Sequence, residues 1–181
     1  METYIALLRG INVSGQKIIK MELLRGIFEA MGFDAVRTYI QSGNVIFRTK
    51  KTREQALLKK IESTLEAELG YRVDVLLRTP AALQAIVQSH PYGSIAAEED
   101  RKLYVVFVHS VPDQRLQQAF LTLETPGESF VFAGREIYIS IKKDHPKPVF
   151  TNMLLEKKLK SVATTRNWAT VNKLLLLSTE V

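Results

Sequence analysis

The chain contains no cysteine. That absence excludes a disulfide framework, a thiolate nucleophile and every thiolate metal site. Histidine is scarce as well. His90, His109 and His145 lie far apart, and none falls in the HExxH or a similar spacing that sets two imidazoles on one helix face. No GxSxG elbow is present to expose a serine nucleophile, and Ser14 and Ser42 have no histidine that the sequence places near them. The paired acids Glu98-Glu99 fall in a polar stretch and read as solvated rather than poised. No metal, no cofactor and no specific reaction is therefore expected. Long hydrophobic runs are missing too. The stretch Leu174 to Leu177 is far below the roughly 18 apolar residues of a membrane span. Met1-Glu2-Thr3-Tyr4 lacks the basic-then-apolar pattern of a signal peptide. The expectation is a cytoplasmic protein without a membrane partner.

What is present suits a globular fold. At 181 residues the chain can bury a sizeable core, and its 46% hydrophobic and 24% charged content is that of a soluble domain. Its net charge of +6 is unevenly placed: Lys142 to Val181 carries eight Lys/Arg against three acids. A basic end of this kind suits nucleic acid, an anionic metabolite or an acidic partner. It equally suits the solvated faces of two terminal helices.

Hydrophobic periodicity sketches the first half. Residues 4–8 (YIALL) read as a buried strand. A helix is predicted from about Lys20 to Met31, with Leu24, Ile27, Phe28 and Met31 on one face and Gly32 as a left-handed cap. Residues 35–40 and 45–49 read as a hairpin around Ser42-Gly43-Asn44. Thr52 and Gln55 form a capping-box pattern ahead of a helix that buries Leu58, Ile61, Leu65 and Leu69 and stops at Gly70. Residues 72–78 give a fourth strand. This β-α-β-β-α-β order is that of ferredoxin-like domains, so the predicted class is α+β with a ferredoxin-like N-terminal half. Right-handed crossovers would bring Arg9–Lys17, Gln41–Asn44 and Tyr71-Arg72 to one end of the sheet.

The remainder reads as a second α+β half. Thr79-Pro80 opens a helix to about Gln88, and His90–Asp100 looks like a loop. Residues 102–109 form a strand, about Asp113–Leu123 a helix, and 129–132 with 136–141 a hairpin. Two helices follow at about 152–160 and 165–177, the second capped by Thr165. No internal sequence repeat is visible. The predicted division is 1–79 as a ferredoxin-like subdomain and 80–181 as a second subdomain with basic C-terminal helices.

Three polar stretches interrupt this regular pattern: Arg9–Lys17, Gln41–Asn44 and Thr165–Trp168. Gly10–Lys17 invites a phosphate-loop reading, but Gln16 separates Gly15 from Lys17 and Ile18 stands where a magnesium-binding hydroxyl is required. A weaker reading remains, in which backbone N–H groups around Gly10 and Gly15 meet an anion beside Arg9 and Lys17. Gly43 and Asn44 are what a tight turn demands, whereas Gln41 is not. Trp168 shares an apolar stripe with Val171 and Leu175. Arg166 and Asn167 would lie in a first helical turn, where a cation is disfavoured, with Lys147 and Asn152 just upstream.

The segments LLRGINVSG at 7–15, KIIKM at 17–21, YIQSGNVIF at 39–47 and TTRNWATVNKL at 164–174 resemble a widespread bacterial family catalogued as a domain of unknown function. The resemblance spans the chain. Members often read GINVGG followed directly by lysine, where this sequence has Ser14 and Gln16. What the resemblance implies is a compact bacterial α+β protein with no established activity, and hence no catalytic residues to carry over.

The leading expectation is a binding site for a small polar or anionic ligand, with Arg9, Lys17 and Arg166 supplying charge and Asn12, Gln41 and Asn44 orienting it. One alternative is a nucleic-acid-binding module, resting mostly on the positive charge; Tyr4 and Phe47 are the strand aromatics that could stack bases, but the glycine-aromatic pattern of RNA-binding sheets is absent. The other is a non-catalytic scaffold or oligomeric protein. The sequence does not specify an oligomeric state.

Overall fold

Fourteen elements make up the computed structural model of the chain, which describes residues 1–13, 15–93, 100–145 and 150–180. They are β1 (Glu2–Leu8), α1 (Met21–Ala30), β2 (Asp34–Tyr39), β3 (Asn44–Thr49), α2 (Glu54–Leu69), β4 (Val75–Arg78) and α3 (Pro80–Gln88), then β5 (Arg101–Val108), α4 (Gln114–Leu121), β6 (Glu128–Ala133), β7 (Glu136–Lys142), α5 (Asn152–Leu159), β8 (Ala163–Asn167) and α6 (Trp168–Thr179). The chain divides into two units, Met1–Ala85 with Lys173–Val181, and Ile86–Asn172.

In the first unit the antiparallel order is β2-β3-β1-β4, the ferredoxin-like arrangement read from the sequence. One sheet face packs on α1 and α2. Leu24, Ile27, Phe28 and Met31 of the first helical face are all buried, and Gly32 follows with φ +80. Phe47 anchors this core, with its ring 4.5 Å from Phe33, 5.4 Å from Phe28 and 5.9 Å from Tyr4. Ile5, Leu7, Ile46 and Leu76, of opposite parity on the same strands, are buried too. Strands buried on both sides need no polar alternation, which is why YIALL reads as a continuous apolar run. At the outer strand β2, Ala35 (φ +49) accompanies a register shift between Asp34 and Arg37, a bulge of the kind that discourages edge pairing.

The expected capping box does not set the start of α2. The helix begins at Glu54, with Arg53 at the cap position and no side-chain cap bond. Burial of Leu57, Leu58, Ile61 and Leu65 fixes its phase, and that burial outweighs a cap worth about 1 kcal/mol.

The second unit repeats the first in topology. β5-α4-β6-β7-α5-β8 form an antiparallel sheet in the order β6-β7-β5-β8, so the ferredoxin-like plan occurs twice in one chain. The expected helix over 165–177 is the element that conceals this, and it needs correction. Residues 163–167 are the edge strand β8, paired with β5 from Val108↔Ala163 to Tyr104↔Asn167. Two adjacent threonines favour a strand, but the polar letters T-T-R-N give no apolar alternation to reveal it. α6 starts directly at Trp168, and its cap is Asn167, whose Oδ1 accepts the Thr170 N–H at 2.7 Å. Thr165 instead donates to Asn152 Oδ1 at 2.5 Å.

The repetition extends to individual contacts. Leu8 N–H donates to Gly43 O at 2.8 Å and Arg9 N–H to Asp74 O at 2.9 Å; Val108 N–H donates to Arg135 O at 2.9 Å and His109 N–H to Val162 O at 3.3 Å at the matching places. Each unit also buries an arginine on the last strand of its motif. Arg78 lies opposite Ile5 and Arg166 opposite Val105, equivalent rungs of the two ladders. Both donate Nη1 to the preceding carbonyl, Leu77 O at 2.8 Å and Thr165 O at 2.9 Å.

Candidate functional site

The sheet of the first unit ends in a rim built from three segments. After Leu8 the chain must turn out of the ladder, and it does so through Gly10 (φ +66), Asn12 (φ +52), Gly15 (φ +74) and Lys17 (φ +47). Left-handed backbone is cheap for glycine and tolerable for asparagine, but costs a lysine roughly 1–3 kcal/mol. Asn12 holds the excursion together. Its Nδ2 donates to Ile19 O at 3.0 Å and to Gln41 O at 2.8 Å, while its Oδ1 accepts the Ile19 N–H at 2.7 Å. One side chain thus closes the loop on itself and fastens it to the first hairpin.

The hairpin turn fits beneath this loop. Gly43 has φ +77, and a Cβ there would lie 2.6 Å from Ile11 Cδ1 and 2.9 Å from Leu8 Cβ. Turn chemistry and close packing both require the glycine. Asn44 is fully buried, and its Nδ2 donates to Tyr39 O at 2.9 Å and Ser42 Oγ at 3.0 Å, bracing the turn from inside. Gln41 is exposed, and its side chain is bonded to none of the described residues. Lys17 reaches the start of β4: its Nζ donates to Arg72 O at 2.9 Å and stands 5.3 Å from the Tyr71 ring centroid. The Arg72 guanidinium pairs with Asp74 at 3.0 Å and is otherwise largely exposed.

Arg9, Asn12, Lys17, Gln41 and Asn44 therefore share one rim, together with Tyr71 and Arg72. Asn12 and Asn44 are committed to holding it. Lys17 and Gln41 present polar groups outward, because an ammonium has three donors and only one is used on Arg72.

Arg166 occupies a different setting. It belongs to β8 of the second unit rather than to a helical first turn, is buried, and donates Nη1 to Thr164 Oγ1 at 2.8 Å as well as to Thr165 O. Burial pulls its pKa down to about 10, which leaves the guanidinium charged at neutral pH. Lys147 and Ser14 lie outside the described residues, as does the acidic pair Glu98-Glu99.

The side chains that an RNA-stacking sheet requires are turned inward. Tyr4 and Phe47 stack on each other within the core cluster, so neither offers a free ring to a base. Among the described residues no group of three or more His, Asp or Glu is placed to hold a metal, and no helix is long and apolar enough to cross a membrane.

Sequence reasoning missed a second cluster, in the second unit. His90, expected in a loop, packs its ring 4.1 Å from that of Trp168, edge-on to Tyr138 at 5.4 Å and to Tyr92 at 5.6 Å. Its Nε2 is buried without a hydrogen-bond partner among the described residues, and burial pushes its pKa below the usual histidine value. Trp168, expected in an apolar stripe, is half-buried against this imidazole. No periodicity announces the contact, because it joins a loop residue to a helix start far along the chain.

Residues 1–138 match the profile of a family described as "Protein of unknown function (DUF1697)". The chain belongs to this family. The matched part contains the whole first rim and stops within β7, so β8 and α6 lie beyond it. A solved structure described as that of the conserved bacterial protein SP0830 from Streptococcus pneumoniae is similar over 99% of both chains, with a TM-score of 0.82 at 22% identity. At that identity the likeness speaks for the fold alone. No curated protein matches the sequence. DUF1697 membership thus brings an architecture and no reaction.

Proposed function

We propose that the rim of the first unit binds a small polar or anionic ligand, which Lys17 and the neighbouring loop backbone would meet with charge and Gln41 with its amide. The observation that carries this reading is internal to the chain. The same ferredoxin-like plan needs only residues 109–113 to pass from β5 to α4, yet spends residues 9–20 to pass from β1 to α1. Ile11 and Ile19 anchor that longer connection in the core at 1% and 4% exposure, while Val13 and Gly15–Ile18 between them are exposed. The fold does not require such an excursion, and connections beyond what an element pair needs commonly carry function. Asn12 keeps it ordered, and the left-handed Lys17 is strain retained at the point where a cation faces outward. Arg9, Lys20 and Arg72 add positive charge nearby, offset in part by Asp74.

Thermal unfolding in the presence of inorganic phosphate, sugar phosphates and mononucleotides tests the reading, since a ligand that binds only the native state raises Tm. At least one of these anions is expected to stabilise the protein, and Lys17→Ala or Gln41→Ala to weaken the response by about tenfold, the worth of one charge-assisted hydrogen bond. A flat response to the whole panel sinks it. So does a wild-type response from both variants.

A further inference from the structure

The helices α1 and α2 lie on one face of the first sheet, and a cavity of about 360 Å³ opens between their flanks. Helical spacing puts its lining on two facing stripes. Glu22 and Gly26 lie one turn apart on α1, as do Leu23 and Ile27 beside them, and Thr64 and Glu68 on α2. Each helix runs back along the strand before it, and β1 is antiparallel to β3, so the two helices are antiparallel as well. Lys60, one turn before Thr64 on the same stripe, donates Nζ to Met31 O at 2.7 Å, just past the end of α1. Glu68, two turns beyond Lys60, therefore comes level with Glu22 at the other end of the groove.

The floor is apolar and open. Ile27 is buried beneath it, Leu23 is 54% exposed, and a Cβ at Gly26 would meet nothing within 4 Å. A helix interior disfavours glycine, and internal packing does not call for one here; the missing side chain keeps the space clear. Thr64 donates its hydroxyl to Lys60 O at 2.8 Å within its own helix. Glu22 and Glu68 have no hydrogen bond or ion pair among the described residues, and Lys20, two residues before Glu22, is bonded to neither. Glu68 also stands in the last turn of α2, which holds no basic residue; the helix dipole there disfavours an acid and favours a cation. Two carboxylates and a helix C-terminus beside an apolar floor, in a chain of net charge +6, complement positive charge carried on hydrocarbon.

We propose that this groove binds a small organic ammonium ion, with its apolar tail over Leu23, Gly26 and Ile27 and its charged head between Glu22 and Glu68. Burial of the tail and charge-assisted bonds to the head hold it together. The rim takes an anion and the groove a cation, so the two proposals stand or fall independently.

The intact, isotope-labelled protein is titrated with phenethylamine and with hexylamine at neutral pH. Phenethyl alcohol, hexanol and ammonium chloride run in parallel, each lacking either the charge or the tail. The amide signal of Gly26, followed by NMR, reports on the groove wall. At least one amine is expected to shift it saturably, about tenfold or more tighter than its alcohol or ammonium alone. Glu68→Gln is expected to weaken that binding about tenfold without lowering Tm, because it removes an acid from an unfavourable helix end. Gly26→Leu is expected to abolish binding by filling the space, again without lowering Tm. No saturable shift with either amine overturns the proposal. So does an alcohol that binds as tightly as its amine, or wild-type affinity in Glu68→Gln or Gly26→Leu. A shift of the Gly26 amide with protein concentration alone would mean that a second copy covers the groove, and would overturn it too.

Discussion

Asn12 ties the loop of the first rim both to itself and to the first hairpin. Replacing it with alanine removes two donated bonds and one accepted bond, each worth about 1 kcal/mol net, and puts a residue less suited to φ +52 into a left-handed position. Asn12→Ala is expected to cost roughly 2–4 kcal/mol in urea unfolding; a loss below about 0.5 kcal/mol would show that the loop holds without its tie. His90 offers a second test at this scale. Its folded-state pKa lies below the unfolded value because burial disfavours the charged ring. The unfolded chain therefore takes up its proton first as pH falls, and stability that is complete above the unfolded pKa of about 6.5 declines below it. His90→Phe is expected to lessen the drop in Tm between about pH 7 and about pH 5; an unchanged pH profile would remove His90 as its source. Neither role is visible in the letters. Asn12 sits in a glycine-rich stretch where any polar residue would look at home, and its meaning depends on two carbonyls brought to it by folding.

At the level of elements, legibility followed burial pattern. The helix α1 and the strands β1, β3 and β5 were readable because long apolar stripes or runs dictate them, and Gly32 and Gly70 mark helix ends through positive φ. The hairpin between β2 and β3 was readable for the same reason, and it carries the next prediction. Gly43→Ala forces a Cβ against Ile11 and Leu8 at a left-handed position, so a loss of roughly 2–4 kcal/mol is expected from strain and overpacking together. Gly10→Ala keeps the strain but meets open space, and should cost only about 1 kcal/mol. Equal losses in chemical denaturation would mean that packing against Ile11 contributes nothing. β8 stayed hidden because an edge strand of threonine, arginine and asparagine has no apolar alternation, and its partner β5 is about sixty residues away along the chain, beyond any local signal.

For the whole molecule, the decisive fact is that one plan is built twice, and that similarity of topology survives with no repeat visible in the sequence. Interiors constrain volume and polarity more than identity, so two halves can keep matching ladders while their letters diverge. Comparison of the halves separates what the fold needs from what has been added to it. The excursion Val13–Ile18 belongs to the second class. Replacing those residues with Gly-Gly leaves Ile11, Asn12 and Ile19 in place, and is expected to change stability by no more than about 1 kcal/mol while abolishing any response to ligands of the rim. Loss of cooperative folding in that variant would make the segment structural instead.

The duplicated ladder also gives the chain an internal reference for solution measurements. The amides of Leu8 and Val108 occupy matching rungs and donate to matching carbonyls, so each reports opening at the end of its own sheet. A guest resting over the first loop would slow deuterium uptake at Leu8 and leave Val108 untouched, whereas a general tightening of the protein would slow both. The difference between two amides of the same sample thus reports occupancy at a single locus, with no second protein needed for calibration.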